Sequence, residues 1–231
     1  MLILGLQKTT LLDYPGKVAS TIFTGGCNFR CPYCHNRDLV MPPADVLAYS
    51  KEEIFAHLTA KKKVLDGVCI TGGEPTLQGD LIDFIRKIKD MGLLVKLDTN
   101  GTNPAILKTL VAEGLLDYVA MDIKNSIEKY DEVAHMIHFD MSPILESVDF
   151  LKSSDIDYEF RTTIMKECHD TDDMASIGKW LAGAKAYYLQ SYRESEQVIN
   201  PIFSAHSTET LLSFVDILKP YINNTQLRGI D

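Results

Sequence analysis

Three cysteines fall within eight residues: Cys27, Cys31 and Cys34, spaced C-x3-C-x2-C in the run GGCNFRCPYCHN. Thiolates are soft donors that hold zinc and iron–sulfur clusters. Three of them can bind three irons of a cubane and leave the fourth without a protein ligand. An open coordination position is what makes a metal centre chemically useful, as in catalytic zinc sites, and here it could chelate the amino and carboxylate groups of an amino acid. Gly25 and Gly26 allow backbone to come close to a bound group. On spacing alone, other chemistries stay open. Cys31, Cys34 and His35 match a haem-attachment pattern, although that chemistry belongs to exported proteins and MLILGLQKTT has no export-signal character. Cys31 and Cys34 match a dithiol redox pair, which leaves Cys27 without a role. A structural zinc site using His35 would ask two adjacent residues to share one tetrahedron.

Polar residues follow several apolar runs. Gly72-Gly73-Glu74-Pro75 is either a plain tight turn or a carbonyl-rich turn beside a carboxylate, which suits an ammonium group. Asp98-Thr99-Asn100-Gly101 ends another run. Asp122 and Lys124 lie two apart, so in a strand they share a face with Tyr118 and Ala120. That face should point inward, where a carboxylate and an ammonium are costly unless paired or ligated. Arg161 either joins the same cavity or is an ordinary ion-pair partner. Asp13-Tyr14-Pro15-Gly16 is adequately explained as a turn. Cys69 reads as buried packing, Cys168 has no cysteine near it, and His135, His138, His169 and His206 read as surface residues.

The elements that must carry these residues recur as short apolar run, then helical pattern. Runs at 18–24, 67–71, 93–99, 118–123, 158–164 and 184–189 are bounded by turn-forming residues, as buried parallel strands are. Between them, Ser50 with Glu53 predicts a capping box before Ile54, Phe55 and Leu58. Leu81, Ile85 and Ile88 form a second stripe. Asn103-Pro104 opens a helix that Gly114 closes, and Ser142-Pro143 opens another. Further helices are predicted over 172–181 and 207–218. Parallel strands require right-handed helical crossovers, and both barrels and wound sheets gather functional groups at strand C-termini. The expected fold is α/β, a partial (β/α)6 TIM-like barrel. One domain spans 1–231, with a lead-in at 1–17, barrel core at 18–190 and a one-helix extension at 191–231.

Composition fits that fold. Of 231 residues, 45% are hydrophobic and 24% charged, and one domain accommodates them. The net charge of −9 argues against nucleic-acid binding through phosphate neutralisation. No apolar stretch approaches membrane-helix length, so a cytoplasmic, thiol-preserving setting is expected.

The cysteine run resembles the radical S-adenosylmethionine superfamily, and the whole chain looks like a glycyl-radical-enzyme activase. The nearest likeness is to activating proteins of anaerobic ribonucleoside-triphosphate reductase. That resemblance implies one [4Fe-4S] cluster on Cys27, Cys31 and Cys34, with Tyr33, His35 and Asn36 beside it. It also implies S-adenosylmethionine held by Gly73, Glu74, Asp98, Thr99, Asp122 and Lys124, and a monovalent cation on the aspartates and Thr99. Gln190 stands where related pyruvate formate-lyase activases place a histidine. Asp13 and Arg161 are implied contacts to the partner's glycine-bearing loop or the same cavity. Implied partners are a glycyl-radical enzyme and a flavodoxin or ferredoxin electron donor, with no nucleic acid and no membrane. The similar 7-carboxy-7-deazaguanine synthases, acting on a small molecule, form the alternative, and a zinc-bearing structural adaptor a remoter one.

Overall fold

The computed structural model describes residues 1–195 and 198–230. One eight-stranded sheet forms its centre, with strands neighbouring each other in chain order: β1 Ile3–Thr10, β2 Ala19–Thr24, β3 Gly67–Gly72, β4 Leu94–Thr99, β5 Tyr118–Asp122, β6 Asp157–Ile164, β7 Tyr187–Ser191 and β8 Thr225–Arg228. β1 runs antiparallel to β2, and every later pair is parallel. Helices lie between and after the strands: α1 Arg37–Val40, α2 Lys51–Lys61, α3 Leu81–Asp90, α4 Pro104–Ala112, α5 Tyr130–Ala134, α6 Ser142–Ser153, α7 Thr171–Trp180 and α8 Thr208–Leu218. The six expected strands form in place, and the sheet is extended at both edges. The lead-in supplies β1, and the extension supplies β8 as well as α8.

Local chemistry sets the helix boundaries. Ser50 and Glu53 form the reciprocal capping box of α2, and Asp170 with Asp173 forms one for α7. Asn103 caps α4, whose first residue is Pro104. The apolar core lies between sheet and helices: Ile70, Leu97 and Phe160 meet Ile54, Phe84, Ile85, Val148 and Ile177, all buried.

Successive strand residues point to opposite faces. The face away from the helices is polar. Registers align Thr21, Cys69, Lys96 and Tyr118 in one row, and Asp122 and Arg161 in another further along. These parallel strands present their apolar residues toward the helices, and the inward face carries the charged residues, as the alternation of Asp122 and Lys124 predicted. The barrel interior is a lumen of paired charges. Among the described residues, no helix is long and apolar enough to cross a membrane.

Candidate active site

The strand C-termini converge on one cavity of about 170 Å³. The loop after β2 carries the three cysteines into it. Its path depends on close backbone contact with the turn after β3: Gly73 N donates to Thr24 O at 2.8 Å and Glu74 N to Gly26 O at 2.8 Å. A Cβ on Gly73 would sit 2.0 Å from Gly26 O, and Gly72 adopts φ +122°, so both glycines are required. On its outer side the loop is held by Asn200 N to Pro32 O at 2.7 Å and Ile199 N to Cys34 O at 3.2 Å. Arg30 N donates to Ala134 O and His135 O at the end of α5. His135 is the only non-glycine residue with positive φ among those described.

Cys27, Cys31 and Cys34 all line the cavity, with Tyr33, His35 and Asn36 beside them. Phe29 N and Asn36 N each lie 3.4 Å from a sulfur, of Cys27 and Cys34 respectively. Burial pushes the Cys27 thiol up to about 12 and the Cys31 thiol up to about 11. A bound metal ion would favour their thiolate form. All five cysteines are free.

Facing the cysteines, Glu74 is buried and accepts from Thr76 N, Thr76 Oγ1, Thr99 Oγ1 and Asn100 N, at 3.1, 2.6, 2.8 and 2.7 Å. Burial still raises its pKa against these four donors. Deeper, Arg161 Nη2 lies 3.1 Å from Asp98 Oδ2 and its Nε 2.5 Å from Asp122 Oδ1. Lys96 pairs with Asp98, and Lys124 Nζ with Asp122 at 2.9 Å. Burial favours the neutral acids. Arg161 and Lys96 nevertheless hold Asp98 below the ordinary carboxylate range, and Arg161 and Lys124 do the same for Asp122. Lys124 also lies 6.0 Å from the centre of the Tyr33 ring.

Gly73, Glu74, Asp98, Thr99, Asp122, Lys124 and Arg161 thus share the cavity with the cysteines. Gln190 and Asp13 are not among its lining residues. Gln190 lies in register between Thr163 and Arg228, and Asp13 accepts from Thr21 Oγ1 at 2.6 Å in the row below. Of the groups assigned to a monovalent cation, the two aspartates are bridged by Arg161 and the Thr99 hydroxyl is turned to Glu74. His169 is a correction too. It is buried, not on the surface, and His206 is half-buried, because both satisfy backbone groups of neighbouring loops.

Three further residues belong to the site. Asn28, Asn100 and Thr102 form a hydrogen-bonded cluster, with Asn100 Nδ2 to Asn28 Oδ1 at 2.9 Å, tying the cysteine loop to the β4–α4 connection. Lys96, which pairs with Asp98, went unread, although its two-residue spacing to Asp98 marks it as facing the same way. The Asn28–Thr102 contact, 74 residues apart in sequence, had no local signal.

The Radical SAM superfamily model matches residues 21–177. The chain belongs to that superfamily. This radical S-adenosylmethionine enzyme is 33% identical to the protein MJ1227 of Methanocaldococcus jannaschii, provisionally named a glycyl-radical enzyme activating enzyme, across 100% of this chain and 97% of that one. A 7-carboxy-7-deazaguanine synthase of Thermoplasma acidophilum is 30% identical over 64% of this chain and 66% of its own. Among solved structures, Streptococcus suis SuiB aligns with a TM-score of 0.72 at 13% identity, covering 90% of this chain and 48% of SuiB. That likeness shows the fold.

A [4Fe-4S] cluster and S-adenosylmethionine are the superfamily's cofactors. The residues present fit them: three soft donors reach one cavity, backbone amides face two of the sulfurs, and an ammonium stands opposite.

Proposed function

We propose that this radical S-adenosylmethionine enzyme is an activase that installs a glycyl radical on a partner polypeptide, an anaerobic ribonucleoside-triphosphate reductase. The 33% identity with the M. jannaschii protein over essentially both full lengths supports the activase reading, and the choice of reductase as partner rests on the resemblance of the cysteine run Cys31-Pro32-Tyr33-Cys34-His35-Asn36. A [4Fe-4S] cluster held by Cys27, Cys31 and Cys34 would supply the single electron for reductive cleavage of S-adenosylmethionine, the chemistry by which hydrogen would be removed from the partner's glycine α-carbon.

The chain's own residues bind, orient and exclude water. Cys27, Cys31 and Cys34 each anchor one iron. The Gly72–Glu74 turn, braced by the four hydrogen bonds to the Glu74 carboxylate, offers backbone carbonyls to the methionine ammonium, and Lys124 offers its ammonium to the methionine carboxylate. Arg161 keeps Asp98 and Asp122 ionised so that the cavity wall stays polar and fixed. Tyr33, buried beside Cys31 and Cys34, keeps water from that side. The electron comes from a flavodoxin or ferredoxin in the cytoplasm.

A second reading, synthesis of 7-carboxy-7-deazaguanine, draws on the T. acidophilum relative. One experiment separates the two. The reconstituted enzyme is incubated without oxygen with S-adenosylmethionine, reductant and a candidate reductase, and examined by electron paramagnetic resonance. A glycine-centred doublet is expected. No doublet, together with turnover of a carboxylated tetrahydropterin in the presence of magnesium, would replace the activase reading by the synthase one.

A further inference from the structure

His169 lies behind the cavity wall and belongs to neither the cysteine loop nor the charge ladder, yet it touches the backbone of Lys124. It sits in the β6–α7 connection and is 1% exposed. Met165 N–H donates to its Nδ1 at 3.2 Å, so that nitrogen is the acceptor. The proton must then sit on Nε2, which donates to Lys124 O at 2.9 Å. Burial lowers the pKa of His169 and keeps this neutral form.

The contact matters because of where Lys124 stands. The β5–β6 ladder ends at Ile123, whose N–H donates to Arg161 O at 2.9 Å. Lys124 is one residue beyond it, outside the paired strand although Thr162 Oγ1 still donates to Ile123 O at 2.7 Å, and a buried carbonyl there needs a partner. His169 supplies it. The same junction is fastened by Asn125 Nδ2 to Cys168 O at 2.8 Å. His206, whose ring packs edge-on against Phe214 of α8, lies 3.0 Å from His169 O through Nε2 and donates to it.

We propose that His169 is the positioning residue for Lys124: its Nε2–H fixes the Lys124 carbonyl just past the end of β5 and so aims the Lys124 ammonium at the carboxylate of S-adenosylmethionine. This rests on the reading that Lys124 meets that carboxylate. His169 touches no reacting atom and acts only through Lys124.

The test is a double-mutant cycle on the reconstituted holoenzyme, read by equilibrium binding of S-adenosylmethionine, with iron content and the spectrum of the reduced cluster measured alongside. His169→Leu should retain bound iron and the cofactor-free spectrum but bind S-adenosylmethionine about tenfold more weakly. His169→Gln, whose amide N–H can reach Lys124 O, should recover most of that loss. In a Lys124→Met background, His169→Leu should add nothing further. Unchanged binding in His169→Leu, no recovery in His169→Gln, or full additivity with Lys124→Met would each overturn the proposal. Wild-type binding by Lys124→Met alone would instead overturn the underlying role of Lys124, and the positioning claim with it.

Discussion

Arg161 stands between Asp98 and Asp122, 3.1 Å from one carboxylate and 2.5 Å from the other. It joins β4, β5 and β6 across the lumen and lines the cavity that the three cysteines share. Two carboxylates so close would repel each other in a poorly hydrated lumen, and a single guanidinium converts that repulsion into a bridge. Its planar fork presents several N–H donors in a fixed geometry and engages both at once.

Removing the bridge should be costly. Arg161→Met leaves two buried carboxylates with only Lys96 and Lys124, and stability should fall by about 3–5 kcal/mol. Urea unfolding of the cluster-free protein measures this. A loss within 0.5 kcal/mol, as is usual for surface changes (about that size), would mean that the ladder is not structurally important.

Acid should undo the same ladder in a defined window. Folding depresses the pKa of Asp98 and Asp122 through Arg161, with Lys96 and Lys124 assisting. The unfolded chain therefore takes up protons first as pH falls. Their contribution is complete above about pH 4, the ordinary carboxylate value, and is lost as pH drops toward the folded values. Unfolding free energy measured between pH 5 and pH 3 (roughly bracketing that value) should decline, and Asp122→Asn should flatten the decline. An equally steep slope in the variant would contradict the assignment.

Because Arg161 occupies the position between the carboxylates, S-adenosylmethionine cleavage should not depend on which monovalent cation is present. Rates in potassium, sodium and tetramethylammonium at equal ionic strength provide the check. A requirement for one metal cation would show that Arg161 moves aside in the working enzyme.

The glycine turn makes a sharper structural demand. Gly73→Ala would drive a Cβ into Gly26 O and separate the turn from the cysteine loop, so bound iron should fall to a small fraction of wild type. Gly79→Ala meets nothing within 4 Å and should retain it. Equal iron in both variants would mean that the backbone contact is dispensable.

How far the sequence revealed this molecule depends on how local each feature is. The six central strands were legible because apolar runs sit between turn residues, and α2 and α4 because capping residues mark their starts. β1, with sequence ILGLQKTT, and β8, with TQLR, lack such a run; their pairing partners, not their composition, make them strands. α1 and α5 span only four and five residues, too few for a periodic pattern to emerge. The three cysteines were legible because cluster chemistry fixes residue type and spacing together. His169 was not, because its partner Lys124 lies 45 residues away and nothing near it in sequence signals burial. The role of Lys96 was available from alternation with Asp98, the argument that had worked for Asp122 and Lys124.

The most direct test of the whole account is the product of S-adenosylmethionine cleavage. Protein reconstituted with iron and sulfide without oxygen, then reduced, should release methionine and 5′-deoxyadenosine in equal amounts. Cys27→Ala, Cys31→Ala and Cys34→Ala should each abolish that release, while Cys69→Ser and Cys168→Ser keep their bound iron. Cleavage persisting in any of the first three variants, or failure of the wild-type protein to assemble an iron–sulfur centre, would contradict the three-thiol site from which everything else is argued.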